Sequence, residues 1–279
     1  MEKWGDKPYH SLDYENKKRF GEKVYKISLA GGTTCPNRDG TLGTRGCCFC
    51  SGSGSGDFAA TKGSITEQIE EAIARVSRYK NAGHHFTAYF QSFTATYAPV
   101  ETLRAAWEEA MTHESVVALA IATRPDCLGD DVLSLLADCC RKMPVTVELG
   151  LQTIHPDTIR YIRRGYPNSV YETAVKNLQN IGVNVVTHVI AGLPGETKEN
   201  FLDTVRYVAD IGSDGIKLQL LHVLKGTDLA LDYESKMFRT LTPDEYLDYI
   251  AEALSILPPD MVIHRVTGDG PKDLLIAPL

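Results

Sequence analysis

The chain reads as an α/β protein, a partial (β/α)6 TIM-like barrel, and three observations predict this. Short runs rich in β-branched and apolar residues stand at 24–29, 86–91, 116–122, 145–149, 185–190 and 215–220. Single helical stretches at 64–79, 100–113, 130–141, 168–181 and 198–211 separate them. Strands divided by single helices join through right-handed parallel crossovers. A chain of 279 residues with 43% apolar content suits one large core of this type.

The elements follow in order. The segment MEKWGDKPYHSLDYENKKRF is polar, lacks the apolar core of a signal peptide, and leaves residues 1–23 as an N-terminal extension. A strand at 24–29 runs into a cysteine-bearing loop. SGSGSG at 51–56 directly follows the last of these cysteines and belongs to that loop, not to a domain boundary. Ser64 and Glu67 have capping-box spacing and start the first helix of the repeat. A last run at 261–266 adds to a sheet edge. The chain is thus one domain over 1–279.

No apolar run has membrane-spanning length, which predicts a cytoplasmic protein without a membrane partner. The net charge of −7 does not advertise nucleic-acid binding. Residues 1–26 nevertheless carry seven Lys/Arg against five Asp/Glu, and residues 228–260 carry eight acids against two bases. Lys17, Lys18, Arg19, Lys23 and Lys26, with Arg45 and Lys62, would make a basic face; a solvated mixed-charge surface is the plainer reading.

Cys35, Cys47 and Cys50 lie in CPNRDGTLGTRGCCFC. Three thiolates hold three irons of a 4Fe–4S cubane and leave the fourth open to a small molecule. Zinc is the competing reading, since Cys47 and Cys50 form half of a zinc site. Spacing alone leaves both open. Cys139 and Cys140 read as core, Cys127 as core or site lining, and Cys48 as pointing away from its neighbours.

In parallel barrels chemistry gathers at the C-terminal ends of the strands. Polar residues recur there: Gln91 and Ser92, Thr123 and Arg124, Glu148 with Gln152, His188, and Lys217 with Gln219. Each alone is a common loop residue or cap. Five such strand ends, with the cysteine loop after the first strand as the sixth, point to one site.

The stretches GEKVYKISLAGGTTCPNRDGT, GCCFC, AYFQSFTATYAP, IATRPDCL, VELGLQTIH, IRRGY, HVIAGLPGET, KLQLLHVLKGTDL and HRVTGDGPKDLLIAPL span nearly the whole chain. In this order they resemble the Elongator-like radical S-adenosylmethionine (SAM) enzymes, and within them the YtqA/YhcC family. The resemblance implies a 4Fe–4S cluster on Cys35, Cys47 and Cys50, and so decides against zinc. It implies SAM on the open iron, cleaved to a 5′-deoxyadenosyl radical with an electron from a flavodoxin- or ferredoxin-type donor. It places Glu148 and Gln152 at the SAM ribose or amino group, Arg163 or Arg164 at the methionine carboxylate, and Gly192 beside the adenine. Thr123, Arg124 and His188 complete the SAM contacts.

The sequence also departs from the pattern. A Gly-Gly-Glu stretch common after the second strand is replaced by Phe90-Gln91-Ser92-Phe93, which leaves Gln91 or Ser92 to receive the methionine amino group. No acetyltransferase domain is recognisable. Members of the family continue beyond the position of Leu279, so the resemblance implies a missing C-terminal tail. Kinship with Elongator implies the tRNA wobble uridine as substrate, with 5-carboxymethylaminomethyl-uridine converted to 5-aminomethyl-uridine. Lys217, Lys225 and Arg265 are candidates for the carboxylate of that modification, or else partners of Asp214 and Asp269. A radical enzyme acting on a small metabolite or peptide, and a non-catalytic iron–sulfur or zinc module, are the other readings.

Replacing Cys35, Cys47 or Cys50 with Ala is expected to abolish iron loading on anaerobic reconstitution, whereas Cys48→Ala retains it. Iron and sulfide assays with the visible absorbance check this; a zinc complex without iron absorbance contradicts it.

Overall fold

The computed structural model describes residues 4–54, 56–60, 62–80 and 82–279. Residues 1–3 of the predicted extension and Ser55 of SGSGSG lie outside the described residues. The elements in chain order are α1 (Leu12–Phe20), β1 (Tyr25–Leu29), α2 (Ile65–Tyr79), β2 (Phe86–Phe90), α3 (Val100–Thr112), β3 (Val116–Thr123), α4 (Asp130–Cys140) and β4 (Val145–Gln152). They continue with α5 (Pro156–Tyr161), α6 (Asn168–Asn180), β5 (Asn184–Ala191), α7 (Lys198–Ile211), β6 (Gly215–Leu220), β7 (Val223–Leu224), α8 (Asp228–Glu234), α9 (Pro243–Ile256), β8 (Val262–Arg265) and β9 (Leu275–Ala277).

Seven strands pair in parallel in the order β1-β2-β3-β4-β5-β6-β8. Among the described residues no ladder joins β1 to β8, so the sheet curls into a partial barrel with one open edge. The six strands and five helices read from the sequence are present, and the run at 261–266 supplies β8. β4 extends further than its apolar run, because Gly150 is carried through it with a register shift between Gly150 and Gln152, and β5 extends one residue at each end of its run.

Strand residues alternate between two faces. Ile27 and Leu29, Phe86, Ala88 and Phe90, Leu119 and Ile121, and Val145, Val147, Leu149 and Leu151 face outward into the main core. Val185, Val189, Ile216, Leu218 and Ile263 continue this face, covered by apolar positions of α2, α3, α4, α6, α7 and α9. Each fully buried side chain of this kind contributes roughly 1.5–3 kcal/mol. The inner face is small or polar. It carries Lys26, Tyr89, Glu148, His188, Lys217 and His264, with Ala118, Ala120, Gly150 and Gly215 between them.

Ser64–Glu67, Thr197–Asn200 and Thr242–Glu245 close reciprocal caps that start α2, α7 and α9. The N-terminal extension is tied to the far edge of the sheet. Ser11 bridges Ile263 in parallel, the Ile263 amide donates to the His10 carbonyl at 2.7 Å, and the His10 ring bonds the Asp260 carbonyl at 3.0 Å. Trp4 stacks on His10 with ring centroids 4.1 Å apart. At the other end of the chain, β9 pairs antiparallel with β7. A second apolar cluster forms there from Cys48, Ile162, Leu193, Leu221, Val223, Leu229, Ala230 and Ala277.

Leu119→Ala, in the middle of β3, is expected to lower unfolding free energy by about 2–5 kcal/mol. Leu247→Ala, whose side chain is 64% exposed on α9, is expected to change it by less than about 0.5 kcal/mol. Urea denaturation midpoints of the two variants check the contrast.

Candidate functional site

The three cysteines follow β1 in a loop fixed from four sides. Gly46 donates to the Asn37 carbonyl at 2.7 Å, and Cys50 donates to the Cys47 carbonyl at 3.2 Å. Arg38 donates to the carbonyls of Cys50 and Ser51 at 3.2 and 2.6 Å. Arg163, held at a left-handed φ of 58°, donates to the Gly46 carbonyl at 2.9 Å and ion-pairs with Asp228 at 2.5 Å. The Cys48 backbone is clamped between Ile162 and Leu229, and its side chain is buried in the second apolar cluster. Burial pushes the Cys48 thiol up to about 12.

Two of the three glycines of SGSGSG, Gly54 and Gly56, have a steric reason. A Cβ on Gly54 would stand 2.9 Å from the Phe93 ring, and one on Gly56 would stand 2.3 Å from Ser92 Oγ. The loop therefore presses directly on the chain leaving β2.

Cys35, Cys47 and Cys50 are free thiols. A hydrogen bond from Cys50 lowers Cys47 to about 6 against its burial, helped by the Asn37 amide at 3.5 Å and the charges of Arg124 and Arg163. The Cys50 thiol is pushed up by that same bond and by burial. Among the described residues no three His, Cys, Asp or Glu side chains converge on a point for a single metal ion. An iron–sulfur cubane is larger than an ion and holds its thiolates further apart. Three thiols on one loop, one of them readily ionised, with Arg38, Arg124 and Arg163 around them, fit an anionic cluster. A cavity of about 560 Å³ opens beside them, lined by Gly32, Thr34, Thr96, Tyr97, Asp126 and Cys127 among others. Cys127 thus lines the site, and burial pushes its thiol up to about 12.

The other predicted residues divide. Arg124 forks onto Asp126 at 2.9 and 2.7 Å and lies over the Tyr166 ring. Thr123 shares a 2.6 Å hydroxyl bond with Thr96. Gln91 leaves β2 half-buried, next to Ser92, whose carbonyl accepts from Thr33 at 3.1 Å. Gln152 has a φ of 62°, and its amide, oriented with nitrogen toward the strand, donates to the Gly150 and Leu151 carbonyls at 3.1 and 2.9 Å. Gly192 has a φ of 83°, and a Cβ there would stand 3.0 Å from Leu241; that packing by itself requires glycine.

Two expectations are corrected. Arg164 is 1% exposed and spends its five donors on the carbonyls of Leu151, Thr153 and Tyr166 and on Asn168 Oδ1. It braces the chain after β4 and has no donor left for a carboxylate. Glu148 is not at a strand end but in the middle of β4, 1% exposed, with its oxygens occupied by protein groups. Tyr89 donates to it at 2.5 Å, His188 at 2.9 Å and Lys217 at 2.5 Å, and Lys26 completes the set. Lys217 therefore pairs with Glu148, while Asp214 accepts the Val185 amide at 2.8 Å. Lys225 donates to the Asp273 carbonyl at 3.1 Å.

Lys26, Tyr89 and His264 are the interior residues that the sequence reading missed; inward register on β1, β2 and β8 is the signal that marks them. Burial pushes Glu148 up, but Lys217, Lys26 and the bond from His188 outweigh it and hold the carboxyl well below its usual range. Burial and the Lys217 charge push His188 down to about 4. Burial pushes Lys217 down to about 7 against the pull of Glu148. Burial, then the charge of Lys26, holds His264 well below the ordinary histidine range.

Comparison with known proteins agrees with this architecture. The Radical SAM superfamily profile matches residues 20–208, and the Radical SAM C-terminal domain profile matches residues 213–279. The uncharacterized protein YtqA of Bacillus subtilis is 43% identical over 280 residues, covering 98% of this chain and 85% of that protein. Elongator complex protein 3 of Schizosaccharomyces pombe is 25% identical over 270 residues, covering 82% of this chain but 49% of that one. The solved structure of archaeal Methanocaldococcus infernus Elp3 with an N-terminal deletion superposes with a TM-score of 0.68 at 19% identity. That match covers 91% of this chain, which spans 58% of the archaeal one.

Acid is expected to destabilise the fold. Between about pH 4 and 6.5 an unfolded histidine takes up a proton that folded His188 refuses, so stability rises with pH across that window. Depression of Glu148 acts with the same sign, its contribution being lost as pH falls below the ordinary carboxylate range. Denaturant midpoints measured from pH 4 to 6.5 should fall toward acid. The slope in His188→Gln should be shallower, by at most about 1.4 kcal/mol per pH unit.

Proposed function

The chain belongs to the radical SAM superfamily and is a radical SAM enzyme, and from that premise we propose that it modifies the wobble uridine of tRNA. In this reading it removes the carboxymethyl group of 5-carboxymethylaminomethyl-uridine to leave the 5-aminomethyl form. The observation that carries the reading is the similarity to Elongator complex protein 3 over 82% of this chain. The stretches TRPD, VELGLQ and RRG lie within it.

When bound, the cluster and SAM supply a 5′-deoxyadenosyl radical that takes a hydrogen atom from the substrate. The chain's own residues do the rest. Cys35, Cys47 and Cys50 hold the cluster, and Asn37, Arg38 and Arg163 keep their loop in one shape. Arg124, fixed by Asp126, keeps a positive charge close to the thiolates. A flavodoxin- or ferredoxin-type protein delivers the electron.

The barrel suits a base taken out of an RNA loop. An anticodon nucleotide is unstacked and can be splayed into a pocket. The inner face offers small side chains on β3 and polar ones on the neighbouring strands, and among the described residues no ladder joins β1 to β8, where residues 7–16 line a cleft. Phosphate contacts would fall to basic residues such as Lys17, Lys18, Arg19, Lys23, Arg45 and Lys62, with strong salt dependence.

The reduced, cluster-loaded protein is expected to cleave SAM to 5′-deoxyadenosine and to convert the carboxymethylaminomethyl nucleoside in tRNA. Nucleoside mass spectrometry of treated tRNA checks this. Persistence of that nucleoside while 5′-deoxyadenosine accumulates rejects the tRNA assignment in favour of a small-molecule or peptide substrate.

A further inference from the structure

The inner face of the sheet is short of negative charge. Lys26 and Lys217 share one carboxylate, Glu148. Both ammonium groups also lie against the Tyr89 ring, 5.0 and 4.8 Å from its centroid. Arg265 adds a third positive charge that is felt by Tyr89, His188 and Lys217. Among the described residues its side chain, exposed at the end of β8, makes no ion pair. His264 Nδ1 is buried without a hydrogen-bond partner. A cleft of about 300 Å³ lies along the open edge, and His264, Arg265, Lys23 and Tyr9 help line it. The acid in that cleft, Asp13, is already matched by Lys17 at 2.8 Å and Lys23 at 4.0 Å.

Excess charge away from water is costly unless an opposite charge meets it. The groups nearest to accepting a ligand are those with surface left. The Lys26 side chain is 20% exposed, the His188 side chain is 25% exposed, and Arg265 is open, whereas Glu148 and Lys217 sit behind them.

We propose that Lys26, His188 and Arg265, the last opposite Lys217 in the β6–β8 ladder, form a recognition site at the β1–β8 edge of the inner face for a carboxylate carried by the substrate. The identity of that carboxylate as the carboxymethyl group of the modified uridine rests on the tRNA reading above. Arg265 offers a planar fork that matches two carboxylate oxygens. Lys26 supplies a compact charge held in place by Glu148. His188 gives its Nε2 hydrogen to Glu148, so donation from Nδ1 to a second anion requires a second proton. Donation by His188 is therefore coupled to proton uptake, and its contribution to affinity grows as pH falls toward about 4, where the free imidazole takes its own proton.

The test is anaerobic calorimetric titration of the cluster-loaded full chain with N-acetylglycine, with the neutral N-acetylglycinamide as control. Repeating it in two buffers of different ionisation enthalpy counts protons. The wild type is expected to bind the acid with proton uptake and not the amide. Arg265→Gln and Lys26→Gln are expected to weaken the acid by about tenfold or more, and Arg265→Lys to recover part of that loss. Equal binding of acid and amide, or no change in either Gln variant, overturns the site. The same variants are then assayed on tRNA. If the acid binds as expected while tRNA is never converted, the tRNA reading fails and the carboxylate site stands. If tRNA is converted with a wild-type KM by both Gln variants, the carboxylate site fails and the tRNA reading stands.

Discussion

One carboxylate without solvent contact, Glu148, organises the interior of the barrel. Four side chains from β1, β2, β5 and β6 converge on it, and each comes from an inward position of its strand. An isolated buried charge would neutralise; this one stays ionised because two ammonium groups and two neutral donors replace the water it has lost. Removing one member of such a network typically costs about 3–5 kcal/mol, since the others are left charged and unpaired. The small residues around it follow from the same constraint. The His264 ring comes within 3.0 Å of where a Cβ on Gly215 would stand, so a larger residue there would displace it.

The cysteine loop depends on a different part of the molecule. Its outer side is anchored in the second apolar cluster through Cys48, which packs with residues from α8, β7 and β9. Its inner side is held by Asn37, Arg38 and Arg163. Two adjacent cysteines thus serve opposite ends. Cys47 has a thiol poised to ionise, and Cys48 has one that burial keeps protonated. The C-terminal part of the chain, matched by its own family profile from residue 213, therefore supplies the wall against which the cysteine loop is set.

The strands and their connecting helices were legible because apolar runs and capping residues are local signals. α1 was not: LDYENKKRF has no apolar face, and it is held by the Ser11 cap and by the attachment of residues 10–11 to β8. β7 and β9 are two and three residues long, too short to carry a period, and their pairing spans some fifty residues. That three cysteines share one loop after β1 was legible from their spacing. The interior site was read only in part, because its members lie at 26, 89, 148, 188, 217 and 264, and only strand register brings them together. Glu148 was misplaced for a definite reason. Gly150 resembles a strand terminator, yet in a central parallel strand it is accommodated with a register shift, which moves Glu148 from the rim to the middle. Arg163 and Arg164 are adjacent in sequence and part company through the left-handed turn at Arg163, which sends one side chain toward the cysteine loop and the other behind β4.

The attachment of His10 to Asp260 bears on how such a chain is made. The two residues are 250 positions apart, and the His10 carbonyl also takes the Ile263 amide of the last strand in the sheet. During synthesis residues 9–11 emerge with Tyr9 and His10 lacking their final neighbours, and they wait until β8 has left the ribosome. The barrel is thus built from β1 outward, while the strap across its open edge is fastened last. A nascent chain halted anywhere before β8 would present an unclosed sheet edge to chaperones, because the part that covers it was translated first and has nothing yet to hold.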